Sequence, residues 1–217
     1  MLLTALWVTS ITDERAGLRT LFSRVFRWRF GIGWWAVVLF GLPVIALVLG
    51  VIFGGTLKPA DVGSVLIKQL GSIVLAVVII NLWEETVWAG FSQTRLESRF
   101  NFVVAAMLTA LPFAGVHVPT LLLDDQISVL SVLEGLGGLL ILGVAVRLMM
   151  GVFLRGAADS VRAVGILHQI FDAGNNDGGL VDSILDGADA GDMTQFATVV
   201  LTGNQDMSGG LSGRCVC

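Results

Sequence analysis

Five stretches of this chain are apolar over lengths near the roughly 20 residues that a helix needs to cross the hydrocarbon core of a bilayer. They run at about 32 to 54, 68 to 91, 100 to 121, 127 to 154 and 159 to 173, with shorter apolar fragments at 1 to 11 and 195 to 203. Inside lipid every backbone N–H and C=O has to be satisfied by its own structure, which leaves helices or a closed barrel. Apolar runs this long, without the period of two that a barrel strand shows, are helical. Only 14% of the residues are charged and the mean hydropathy is +0.85, against about 25% charged residues in ordinary soluble domains. The expected fold is all-α, a polytopic transmembrane helix bundle.

The few charges orient it. Arg15, Arg19, Arg24, Arg27 and Arg29 precede the first full run, Arg95 and Arg99 follow the second, and Arg155 follows the fourth. Lys58 and Asp61, then Asp124 and Asp125, occupy the alternate loops, and the segment after the fifth run is acidic, with no Lys or Arg before Arg214. Positive loops therefore alternate with neutral or acidic ones, and the positive-inside rule places the arginine-rich loops in the cytoplasm and 174 to 192 on the other side. Compact loops and short length point to a prokaryotic plasma membrane.

Three regions follow: 1–31, a partial first span and a cytoplasmic amphipathic segment; 32–173, the transmembrane core; and 174–217, a polar loop, a weak last span and a disordered tail. Within 12 to 31, Leu18, Leu21, Phe22, Val25 and Phe26 alternate with arginines at helical spacing, which describes a helix lying on the cytoplasmic surface with its arginines near anionic headgroups. The opening MLLTALWVTSI has no basic n-region and no small-residue cleavage site, so it reads as the end of a first span rather than a signal peptide. The basic residues form no aromatic-interleaved groove, which gives no sign of nucleic-acid binding. Cys215 and Cys217 are the only cysteines; they make neither a disulfide framework nor a CxxC metal or redox site, and a chain with several spans has no need of a lipid anchor there.

Polar residues inside the runs carry the functional information. Glu84 and Glu85 stand together in NLWEETVWAG, where one ionised carboxylate facing lipid costs about 2.5 to 3.5 kcal/mol. Neighbouring helical residues point about 100° apart, so one glutamate can face a polar cavity while the other bonds a neighbouring helix. The only two histidines also lie in apolar surroundings, His117 in PFAGVHVPT and His168 in GILHQIFDAGNN, and Asp172 is four residues after His168 on the same helix face. A carboxylate in a low-dielectric site can act as a general base, one histidine can hold a water or a metal, and a second can donate to the oxyanion of a tetrahedral intermediate. No Gly-x-Ser-x-Gly and no His-Glu-x-x-His occurs, so the nucleophile is water.

EETVWAG (84 to 90), FAGVH (113 to 117) and HQIFD (168 to 172), in this order on separate apolar segments, resemble the motifs of the CPBP intramembrane proteases, the family that includes the type II CAAX prenyl endopeptidases and bacteriocin-processing proteins. The resemblance covers about 32 to 173 and implies an intramembrane active site. In it Glu84 activates water with Glu85 as partner, His117 holds the water or a metal, and His168 with Asp172 stabilises the oxyanion. Either zinc on His117, His168 and Glu85 or a metal-free, glutamate-dependent site is consistent with these residue types. The implied partners are the lipid bilayer and a peptide or protein substrate. Two positions depart from the pattern: Ala89 replaces an Arg that precedes the motif glycine, removing a cation able to pair with Glu84 or Glu85, and Asp172 replaces an Asn. Two other readings of the same residues are a non-proteolytic membrane scaffold or immunity-type protein, which Ala89 favours, and a proton-coupled transporter.

Straight, parallel spans would set the site residues at different depths, because at 1.5 Å per residue Glu84 lies about 16 Å from Arg95, His117 about 27 Å from Arg99 and His168 about 9 Å from Arg162. Pro112 and Pro119 mark where the third span should bend or end.

Overall fold

A computed structural model describes residues 1–52, 56–57, 62–121, 128–175 and 185–186. The fragment at 195 to 203 and most of the polar segment after 175 lie outside the described residues. Among the described residues eight helices follow in order: α1 (Leu2–Thr12), α2 (Glu14–Val25), α3 (Ile32–Ile52), α4 (Ile67–Glu97), α5 (Phe102–Gly115), α6 (Val118–Leu121), α7 (Val129–Gly156) and α8 (Val161–Asn175). A two-residue antiparallel pairing joins Thr56–Leu57 to Leu185–Asp186. The chain is an all-helical membrane bundle.

Three helices, α3, α4 and α7, are long and apolar enough to cross a bilayer, with 21, 31 and 28 residues. At 1.5 Å per residue even the shortest reaches about 32 Å, the thickness of a hydrocarbon core. The third expected span is shorter than anticipated, whereas the fifth, expected over 159 to 173, has the anticipated length two residues further along. Helix α5 has 14 residues and α8 has 15, each well under the length a full crossing requires. For α5 the cause is local: Pro112 lies inside it, and the helix stops at Gly115, leaving His117 in the turn before α6. Helix α8 packs inside the protein: Val161, Ala163, Val164 and Leu167 are fully buried against other helices, so it meets protein where a span would meet lipid.

Close helix approaches build the interior. Ala105, Ala106, Ala110 and Ala114 of α5 are buried, and a Cβ placed on Gly143 of α7 would sit 3.5 Å from the Ala110 carbonyl oxygen. Small residues bring these two backbones together, the usual means of helix contact where hydrophobic burial offers no gain over lipid. Gly165 does the same between α8 and α4: a Cβ there would lie 3.1 Å from Leu82 Cα and 3.3 Å from Leu82 N. His168, one turn further along α8, is carried by that contact onto the Glu84–Glu85 turn of α4.

Helix α4 is not uniformly α-helical. Val77–Asn81 and Thr86–Gln93 form wider π turns on either side of Leu82–Glu85, so the glutamates occupy a short α-helical island between two segments of altered side-chain phase. Such turns are rare and occur often at functional sites.

Helix α2 forms where the amphipathic spacing predicts it, but not all its arginines turn to headgroups. Arg24 is 6% exposed. Its guanidinium donates to the Gly90 carbonyl of α4 at 2.8 Å, to Thr94 Oγ1 at 3.0 Å and to Asp159 Oδ1 at 2.8 Å. Arg27 donates to the Ala158 carbonyl, and Ser160 Oγ donates back to the Arg27 carbonyl at 2.6 Å. Ala158 and Asp159 sit at φ 53° and 65°, a left-handed corner that is costly for alanine. Arg24 of α2 and Arg27, two residues beyond its end, clamp this α7–α8 corner, which sets the direction in which α8 enters the bundle. A buried guanidinium needs acceptors around it more than it needs headgroups, and a carboxylate and a carbonyl supply them here.

Candidate active site

The adjacent glutamates part as their angular separation requires. Glu85 is fully buried; Glu84 is half-buried, and its carboxylate makes no hydrogen bond or ion pair among the described residues. Glu85 faces α7, where Arg147 grips it with both guanidinium arms: Nη2 lies 2.6 Å from Oε1 and Nη1 3.0 Å from Oε2. Both side chains are 0% exposed, so this ion pair has no water to share its charge.

From Glu85 the contacts continue to α8. His168 Nδ1 lies 2.8 Å from Glu85 Oε1, close in distance although its N–H does not point along the line to the oxygen. On the other side of the ring, Nε2 lies 3.7 Å from Asp172 Oδ1, beyond hydrogen-bonding distance but within the range of an ion pair. Asp172 is held in turn by Asn81, whose Nδ2 donates to Oδ2 at 2.8 Å. A row of polar groups thus runs Arg147, Glu85, His168, Asp172, Asn81 across three helices.

The third motif joins through Phe113. Its ring centroid is 6.0 Å from that of His168 and 5.0 Å from that of His117, and the Arg147 guanidinium carbon lies 4.4 Å from the ring centre. Trp88 closes the far side edge-on at 5.8 Å. His117 Nδ1 lies 2.8 Å from the Phe113 carbonyl oxygen. A carbonyl can only accept, so Nδ1 carries a proton. The three motifs therefore meet, through Glu85 and His168 and through the Phe113 ring.

Arg147 and Asn81 are the residues that sequence reasoning missed. Both had a signal. Arg147 is a lone cation in the middle of a long apolar run, the kind of residue that is expensive in a membrane unless it has a partner. Asn81 stands three and four residues before the two glutamates, near them on the helix. The cation missing at Ala89 is thus present on another helix: Ala89 is buried without a charge, and Arg147 supplies the counter-ion of Glu85 from α7.

His117, His168 and Glu85 do not fit together as a zinc site in this arrangement. Tetrahedral zinc takes nitrogen and carboxylate ligands at about 2.0 to 2.2 Å, which demands that lone pairs converge. Here both Glu85 oxygens are taken by Arg147, and among the described residues no group of three His, Cys, Asp or Glu side chains is disposed to hold a metal ion.

Comparison with known proteins gives one finding. Residues 66–174, half of the chain, match the family model described as type II CAAX prenyl endopeptidase Rce1-like. That region contains all three motifs together with Asn81 and Arg147. No curated protein and no solved structure matches the chain.

Proposed function

Since the chain belongs to the Rce1-like type II CAAX prenyl endopeptidase family, we propose that it is an intramembrane endopeptidase in which Glu84 activates water to hydrolyse a peptide bond. The observation that carries this is the division of labour between the two glutamates. Glu85 is committed on both oxygens to Arg147, while Glu84 is half-buried and its carboxylate makes no bond among the described residues. A general base has to be within reach of water, and of the two only Glu84 is exposed at all.

The residues around it have matching roles. His117, its ring fixed by the Phe113 carbonyl at 2.8 Å, orients the attacking water. Glu84 takes the other proton as the oxygen attacks the carbonyl carbon, and returns it to the leaving amine. His168 donates from Nε2 to the oxyanion; that requires a proton on this nitrogen, and the carboxylates of Glu85 and Asp172, at 2.8 and 3.7 Å from the two ring nitrogens, flank the ring on both sides. Asn81 holds the Asp172 carboxylate to one side, which limits its repulsion of the oxyanion. No step passes through a metal. The substrate is a peptide presented from the bilayer, and the arginine-rich loops face the cytoplasm of a prokaryotic plasma membrane.

The test is cleavage by purified full-length protein in lipid nanodiscs, read by product mass, with two peptides that share a Cys-aliphatic-aliphatic-X end, one farnesylated and one not. Cleavage of the farnesylated peptide supports the CAAX-type reading, and cleavage of both supports a broader endopeptidase. No product from either, with a folded protein, rejects the activity proposed.

A further inference from the structure

Arg147 is placed to do more than neutralise Glu85. It is fully buried at the meeting point of two branches: through Glu85 it reaches His168 on α8, and through the face of Phe113 it reaches the residue whose carbonyl fixes His117. We propose that Arg147 is the positioning residue that ties the two histidines of the site into one mechanical unit. This deepens the protease reading and rests on it only for the consequence in turnover.

The chemistry of the side chain fits that role. A guanidinium is planar; its edge matches a carboxylate with two parallel bonds and its face stacks on an aromatic ring. Arg147 makes both kinds of contact at once, with its edge on Glu85 at 2.6 and 3.0 Å and its guanidinium carbon 4.4 Å from the Phe113 ring centre. Its orientation therefore fixes the angle between the α4 carboxylate and the α5 ring. A lysine carries the same charge but has neither an edge nor a face. The ion pair is also a poor candidate for a device that only stabilises, because Arg147 Nε is buried with no hydrogen-bond partner among the described residues. Buried pairs often contribute less than a well-packed apolar replacement would, and the best-attested reason to retain one is the specificity of geometry it enforces.

Because the chain has only two histidines, their ring nitrogens can be observed separately. The experiment labels the histidines of the full-length protein with nitrogen-15, assigns the two sets of resonances with His117→Gln, and compares wild type with Arg147→Lys in nanodiscs at one pH. A second variant, Glu85→Gln with Arg147→Gln, replaces the ion pair by an amide pair of similar size and serves if the lysine variant does not fold. The expected result is displacement of the resonances of both histidines in a protein that keeps its helical circular dichroism. On the farnesylated peptide kcat should fall on the order of 100-fold, the effect of a small misplacement of reacting groups, with KM little changed. Resonances of either histidine that stay in place in a folded variant overturn the proposal, as does a kcat restored by lysine. If wild type cleaves neither peptide while both sets move, the coupling through Arg147 stands and the protease reading fails.

Discussion

Gly165 offers the most direct handle on how the site is held together. An added methyl at this position of α8 would lie 3.1 Å from Leu82 Cα, 3.3 Å from Leu82 N and 3.4 Å from the Asn81 carbonyl oxygen. All three are backbone atoms of α4, so no side chain can swing aside. The helices have to separate by a few tenths of an ångström, and overpacking of this kind costs about 1 to 3 kcal/mol. Alanine is also the better helix former by about 1 kcal/mol, which partly masks the clash. Gly174→Ala removes that ambiguity. It lies in the same helix with nothing within 4 Å of its added Cβ, so it has the propensity gain without the clash. Gly165→Ala should accordingly be about 1 to 3 kcal/mol less stable than Gly174→Ala, measured by denaturant titration in mixed micelles. The same separation moves His168 away from Glu85, now 2.8 Å apart, so peptide cleavage should fall in Gly165→Ala and hold in Gly174→Ala. Equal stability and equal activity in the two variants would refute the claim that this contact sets the site.

Glu85→Ala leaves the Arg147 charge buried and unpaired, so a loss of about 3 to 5 kcal/mol is expected in the same titration, whereas Glu84→Ala should stay within about 1 kcal/mol of wild type. Arg24→Met, which keeps the apolar stem but leaves the Gly90 carbonyl and Asp159 without their donor, should cost roughly 2 to 3 kcal/mol and make the Ala158–Asp159 corner the first site of limited proteolysis. Asp172→Asn, which can donate to an oxyanion without repelling it, should cleave at least as fast as wild type in the nanodisc assay, and Asp172→Ala more slowly.

The helices were legible because bilayer thickness imposes a length that shows directly in the apolar runs, as at 32 to 54 against Ile32–Ile52. The surroundings of α8 were harder. Its apolar residues serve a protein interior, and apolar positions look the same whether lipid or protein covers them. At the site, the glutamate pair and both histidines stood out because polar groups in apolar runs are costly, and the separation of Glu84 from Glu85 followed from helix geometry alone. Arg147 did not stand out as a partner, since its bond to Glu85 crosses 62 residues of sequence and no local spacing encodes such a contact. The vacancy at Ala89 was visible and its compensation was not: the first is a property of one helix, the second of how α4 and α7 pack. Arg24 was hidden for the same reason, because an arginine on an amphipathic helix shows a charge but not which way it turns.

The central claim is that Glu84, and not its buried neighbour, is the base. The measurement that tests it most directly is the single-turnover cleavage rate of Glu84→Gln against wild type on the farnesylated peptide, with both proteins shown to unfold at the same denaturant concentration. A general base contributes on the order of 10²- to 10⁴-fold, and a fall of that size without loss of stability is the result predicted. A Glu84→Gln protein that cleaves within a few-fold of the wild-type rate would contradict it.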